Sequence, residues 1–135
     1  MIPRYLLDTN IVIRWLTQPK KLSREQTRVL REAVRRREPV ALSAITLLEI
    51  AVLFGKGSTR GAISIDDLLG ELESNPVFQI IPLTVDVAAE VASLGAGPLR
   101  DPADRAIVAT ARVRKLALLT SAQRIIESGL VPVIA

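Results

Sequence analysis

Five short, largely uninterrupted apolar runs punctuate this chain: Tyr5-Leu6-Leu7, Val40-Ala41-Leu42, Phe78-Gln79-Ile80-Ile81, Ala117-Leu118-Leu119 and the stretch 131–134. A strand with one wet face alternates polar and apolar residues, whereas a continuous apolar run reads as a strand covered on both sides. Helical patterns separate these runs. Residues 9–16 form the first, limited by Pro19, and Ser23 caps a long one that reaches about residue 37 ahead of Pro39. Ser43 caps a helix to about Phe54, broken by Gly55-Lys56-Gly57. A further helix starts around Ser64 and ends before Pro76, and residues 84–94 form another, closed by Gly95 and Gly97. Asp101-Pro102 opens the next with an acid at the cap and proline in the first turn, and a short helix spans about 122–127. Strands that alternate with helices predict an α/β fold in three layers: a central, mostly parallel five-stranded sheet flanked by helices. At 135 residues the chain is one domain, 1–135, with no repeat or linker.

Composition narrows the chemistry. The chain has no Cys and no His, which excludes thiolate and imidazole metal sites, disulfides, cysteine nucleophiles and Ser-His-Asp triads. Its four aromatic residues, Tyr5, Trp15, Phe54 and Phe78, are too few for base stacking to drive nucleic-acid binding. Eighteen basic against fourteen acidic residues leave a net charge of +4, which suits an anionic partner or simple solubility equally. The N-terminal residues lack signal-peptide architecture, and no apolar run approaches the ~18 residues of a membrane span. A cytoplasmic protein with no membrane partner is expected.

In open parallel sheets, ligands collect outside the carboxyl ends of the strands. Asp8 follows the first strand, Ser43 the second and Thr120-Ser121 the fourth. Neither a dinucleotide fingerprint nor a phosphate loop is present, and Gly55-Lys56-Gly57-Ser58 is too short for the latter. Asp8 either caps the following helix or stands free, with Thr9 or Asn10 as the cap. Glu49 lies in a helix that is apolar almost all round, beside Ile45, Thr46, Val52 and Leu53, where a carboxylate needs an arginine partner or a metal. Asp101 and Asp104, three residues apart at a helix start, favour the positive end of the helix dipole and share that end. Asp8, Glu49, Asp101 and Asp104 are the candidate catalytic acids, and an oxygen-only donor set suits Mg²⁺ or Mn²⁺ over zinc.

Leu6-Leu7-Asp8-Thr9-Asn10, Ser43 through Glu49, Asp101-Pro102-Ala103-Asp104-Arg105 with the residues to Ala111, and Leu118-Leu119-Thr120-Ser121 resemble the four motifs of PIN-domain ribonucleases, in order. Spacing and length are similar to the VapC toxins of toxin–antitoxin pairs. The resemblance implies metal-binding roles for Asp8, Glu49 and Asp104, with Asp101 an accessory acid. It implies polar supporting or water-positioning roles for Thr9, Asn10 and Thr120. PIN domains commonly carry a fourth acid two residues after the threonine; here that position is Ala122. The implied reaction is metal-assisted hydrolysis of an RNA phosphodiester, leaving a 5′-phosphate and a 3′-hydroxyl. The implied partners are the RNA, a cognate VapB-type antitoxin and a second copy in a homodimer.

Arg24, Arg28, Arg31 and Arg35 fall within an arc of roughly 60° on the long helix, opposite Leu22, Val29, Leu30 and Ala33. Glu25 and Glu32 lie off the arc, so the stripe reads as an un-neutralised surface for RNA phosphates, or as an ordinary solvated helix face. A second functional reading keeps the fold but not the chemistry: Ala122 marks a non-catalytic module that binds antitoxin and represses an operator. A phosphatase built on Asp8 is disfavoured, because Asn10 stands where a second aspartate is needed.

Overall fold

The computed structural model describes residues 2–55, 59–60 and 63–135, so Lys56, Gly57 and Ser58 of the glycine-containing stretch lie outside the described residues. The elements run β1 (Tyr5–Leu7), α1 (Thr9–Thr17), a 3-10 turn (Pro19–Lys21), α2 (Arg24–Arg35), β2 (Val40–Ser43), α3 (Ala44–Phe54), β3 (Thr59–Arg60), β4 (Ile63–Ser64) and α4 (Ile65–Ser74). They continue with β5 (Phe78–Ile81), α5 (Val85–Ser93), α6 (Pro102–Arg114), β6 (Ala117–Leu119), α7 (Gln123–Ser128) and β7 (Val133–Ile134).

Five strands pair in the order β5-β2-β1-β6-β7, every pair parallel. Leu6 aligns with Ala41 on one side and Leu118 on the other, and Leu7 aligns with Leu119. Successive strand side chains point to opposite faces. Leu6, Ala41 and Leu118 therefore join a core with Ile107, Val108 and Ile125, while Leu7, Leu42 and Leu119 join another with Ile11, Leu30, Ile50 and Leu68. Two buried faces are the reason that these strands carry no polar alternation. From β1 the chain adds β2 and β5 on one side, then returns across the sheet to place β6 and β7 on the other. The order reverses between β1 and β6, and that switch point is where open α/β sheets hold ligands.

Four details depart from the sequence reading. A two-stranded antiparallel hairpin, β3–β4, stands between α3 and α4, too short to leave a period. Helix α2 stops at Arg35 because Arg37 takes a left-handed conformation (φ 56°) and the Glu38 N–H turns back to the Ala33 carbonyl, 2.9 Å away. Pairing of the last strand begins at Pro132, whose carbonyl accepts from Leu118 N–H at 2.9 Å, so Val131 packs in the core ahead of β7. Finally, α3 is not enclosed: Leu48, Val52 and Leu53 are exposed. Among the described residues no helix is long and apolar enough to cross a membrane.

Candidate active site

Asp8 ends β1 and is itself the N-cap of α1, so neither Thr9 nor Asn10 takes that place. Capping and site roles coexist because a carboxylate has two oxygens. Oδ1 accepts from Thr9 N–H at 2.9 Å, and Oδ2 accepts from the Thr120 hydroxyl at 2.7 Å. This second bond spans the β1–β6 switch point and joins residues 112 positions apart. Thr120 also accepts from Ala122 N–H at 3.0 Å, which ties the start of α7 to the same pair. Asp8 is 5% exposed and Thr120 fully buried.

Glu49 reaches the cluster from α3. The Thr9 hydroxyl donates to Glu49 Oε1 at 2.5 Å and also bonds the buried Thr46 hydroxyl at 2.9 Å. The first residue of α1 thus fixes a carboxylate forty positions away. Helix α6 precedes β6 and runs against it, which brings its N-terminus to the carboxyl edge of the sheet. Asp101 caps that helix by accepting Asp104 N–H at 2.9 Å and remains exposed. Asp104 is 2% exposed, and both of its oxygens meet the guanidinium of Arg124: Nε on Oδ2, and Nη2 3.1 Å from Oδ1.

The electrostatics report crowding of negative charge. Burial pushes the Asp8 carboxyl above the usual carboxylate range. Its bonds from Thr120 and Thr9 hold it back, Asp104 pushes it further, and Arg124 opposes that push. Glu49 is also raised, first by burial, with Thr9 opposing and with Asp8, Asp104 and Asp101 adding to the rise. Such a cluster favours a cation. The donors are all carboxylate oxygens, the set that hard divalent ions take, and the charge of a guanidinium already stands among them. The residues therefore fit Mg²⁺ or Mn²⁺ in kind. Among the described residues no three acids are drawn together to chelating distance, Asp104 being turned to Arg124.

The fold brings together Asp8, Glu49, Asp104, Asp101, Thr9 and Thr120. It leaves Asn10 exposed with no hydrogen bond to the cluster, and it makes Ala122 the N-cap of α7 with no side-chain cap. Two participants escape sequence reasoning. Arg124 has no local partner to betray it. Gln26 is fully buried, and its Nε2 donates to the carbonyls of Thr120 and Ile134 and to Ser121 Oγ at 3.2–3.3 Å, clamping α2 to the ends of β6 and β7. The visible sign of Gln26 is its place three residues after Ser23, where the two form a reciprocal capping box.

The arginine stripe needs one correction. Arg28 pairs with Glu25 and Arg35 with Glu32, because three residues along a helix brings the side chains within reach. Arg24 and Arg31 have no carboxylate partner among the described residues. All four arginines are exposed, while Val29, Leu30 and Ala33 are buried as expected.

Comparison with known proteins places the chain in a family. The chain is 29% identical over 120 residues to Ribonuclease VapC22 of Mycobacterium tuberculosis, covering 89% of this chain and 88% of that protein. Its fold resembles the crystal structure of FitAcB from Neisseria gonorrhoeae with a TM-score of 0.71 and 28% identity, covering 97% of this chain and 96% of that one. A toxin–antitoxin complex from Klebsiella pneumoniae gives a TM-score of 0.65 and 25% identity over 97% of this chain and 96% of that one. The PIN-domain family model matches residues 5–127, which include all four acids, Thr120 and Arg124; the chain belongs to the PIN-domain family.

Proposed function

We propose that this chain is a divalent-metal-dependent endoribonuclease, a toxin of the VapC kind restrained by a cognate VapB-type antitoxin. The observation that carries the reading is the Asp8–Thr120 bond at the sheet's switch point, with Glu49 tied in through Thr9 and Asp104 within the same field. Likeness to a ribonuclease and to a toxin–antitoxin complex supports the substrate and the partner. Asp8, Glu49 and Asp104 would hold Mg²⁺ or Mn²⁺, with Asp101 beside them, and the ion would lend positive charge to a phosphodiester and acidify a bound water. Thr120 and Thr9 N–H keep Asp8 oriented and favour its ionised form. Thr9, braced by Thr46, fixes one oxygen of Glu49 and leaves the other available. The arginines of α2 offer the backbone contacts. Exposed ion pairs are worth little, so Arg28 and Arg35 can exchange their glutamates for phosphates at small cost. A homodimer belongs to the same reading, supported by the exposed apolar side chains of α3.

Asp8→Asn and Asp104→Asn test it. Each should abolish Mn²⁺ binding in calorimetric titration and Mn²⁺-dependent cleavage of structured RNA while leaving the circular dichroism spectrum unchanged. Undiminished binding in either variant refutes the site. The non-catalytic reading draws on Ala122 and on the engagement of Asp104 by Arg124, and predicts no cleavage by the wild-type chain at any Mn²⁺ concentration.

A further inference from the structure

The two partners of the Asp104–Arg124 pair are unlike. Asp104 is a fixed, desolvated charge, whereas the Arg124 side chain is 59% exposed and reaches in from solvent. The backbone beneath Arg124 is anchored: Ile125 is fully buried, and Ala122 N–H is bonded to Thr120. What can move is the arm. Arg124 bonds both Asp104 oxygens, so a cation drawn to either of them competes with the guanidinium and meets its like charge there. When it leaves, its donors are rehydrated, while Asp104 needs a replacement charge.

We propose that Arg124 is a tethered counter-cation of the metal-free site: it neutralises Asp104 in the absence of metal, yields to a divalent ion, and thereby lowers the protein's metal affinity. The inference rests on the metal-site reading above. It assigns a positioning and regulatory role to Arg124, which among the described residues makes no hydrogen bond other than those to Asp104. A pair of charge-assisted hydrogen bonds is worth on the order of tenfold to a hundredfold in an equilibrium constant, and solvent access to Arg124 places the effect at about tenfold.

The test uses the full chain and its Arg124→Gln and Arg124→Lys variants. Arg124→Gln should bind Mn²⁺ about tenfold more tightly by calorimetry and melt lower in EDTA, because Asp104 is left buried and unpaired. Arg124→Lys, which keeps the charge but loses the fork, should fall between. In the wild-type chain, the Arg124 Nε–H resonance should shift in step with Mg²⁺ saturation, a readout that needs neither catalysis nor a variant. Equal or weaker Mn²⁺ binding by Arg124→Gln, or an Nε–H resonance unmoved at saturation, makes Arg124 a structural clasp and overturns the proposal. Absence of Mn²⁺ binding by wild type and variants alike overturns the metal-site reading itself, and this inference with it.

Discussion

Replacing Thr120 by valine changes little but one polar atom, in a place where that atom has two duties. Its hydroxyl donates to Asp8 Oδ2 and accepts from Ala122 N–H, and the side chain is fully buried. A hydrogen bond to a charged group contributes about 1.5–3 kcal/mol, and the half-buried bond from Ala122 contributes up to about 1 kcal/mol. The added methyl returns part of this, so Thr120→Val should destabilise the metal-free protein by about 2–3 kcal/mol at neutral pH. That corresponds to roughly 4 °C of melting temperature per kcal/mol in a domain of this size. The loss should also depend on pH. The Asp8 carboxyl already lies above its unfolded value, and the Thr120 bond is the largest influence holding it down. Without that bond the folded-state pKa rises further. The folded variant then binds a proton more readily than the unfolded chain, and the extra penalty operates above that raised pKa. It disappears as pH falls towards the unfolded value of about 3.9, where a neutral carboxyl costs less to bury. Urea unfolding of both proteins in EDTA, at pH 7 and at about pH 4.5, measures the difference. A penalty below about 0.5 kcal/mol, or one that does not shrink on acidification, refutes the claim that Thr120 holds Asp8 as a buried carboxylate.

Ala122→Asp should raise Mn²⁺ affinity and RNA cleavage at least about tenfold, the lower end of what a supporting group near a metal is worth. A gain of about 1 kcal/mol in stability with an unchanged rate would mean that it merely caps α7. Changing Arg24 and Arg31 together to Gln should reduce the salt dependence of single-stranded RNA binding by about 1.4 in slope, two contacts at ~0.7 each. Glu25→Gln with Glu32→Gln should steepen it by releasing Arg28 and Arg35, and an unchanged slope in both doubles removes α2 from the RNA surface. Raised folded pKa values at Asp8 and Glu49 contribute stability that is lost as pH rises through them. Saturating Mg²⁺ should therefore stabilise the protein more at pH 7 than at pH 5 in thermal melts, and an equal increment at both would show that these acids do not hold the ion.

The parallel sheet is legible in the sequence because burial of both faces leaves no alternation to misread: Leu6 and Leu7 point into different cores, yet both must be apolar. Helix starts are legible because Ser23, Ser43, Ser64, Thr84 and Asp101 accept backbone N–H groups of the turns that they open. The end of α2 is less so, since an arginine, Arg37, takes the left-handed position where glycine is the usual mark. Of the site, Asp8, Asp101 and Asp104 are visible as acids at a strand end and a helix start, and Glu49 as an acid within a largely apolar helix. Asp8 as cap and Asp8 as site residue look like rival readings only when a carboxylate is counted as a single acceptor. Arg124 is invisible for a different reason. Its partner is twenty residues away on another helix, and the pairing exists only because α6 and α7 both flank β6 at its carboxyl end. The long-range bonds of Gln26, to residues 94 to 108 positions away, are hidden in the same way.

These contacts divide the site into a rigid half and a responsive half. Asp8, Thr9, Thr46, Glu49 and Thr120 form one hydrogen-bonded chain across α1, α3 and the β1–β6 switch point, and the hydroxyls in it are neutral. They orient the acids without balancing their charge. Against four carboxylates stands one guanidinium among the described residues, on an exposed side chain. On the function proposed above, an RNA phosphate would have to approach this excess of negative charge, which would couple the approach of substrate to the binding of a cation. A site built this way has its geometry set by the fold and its charge set by what occupies it.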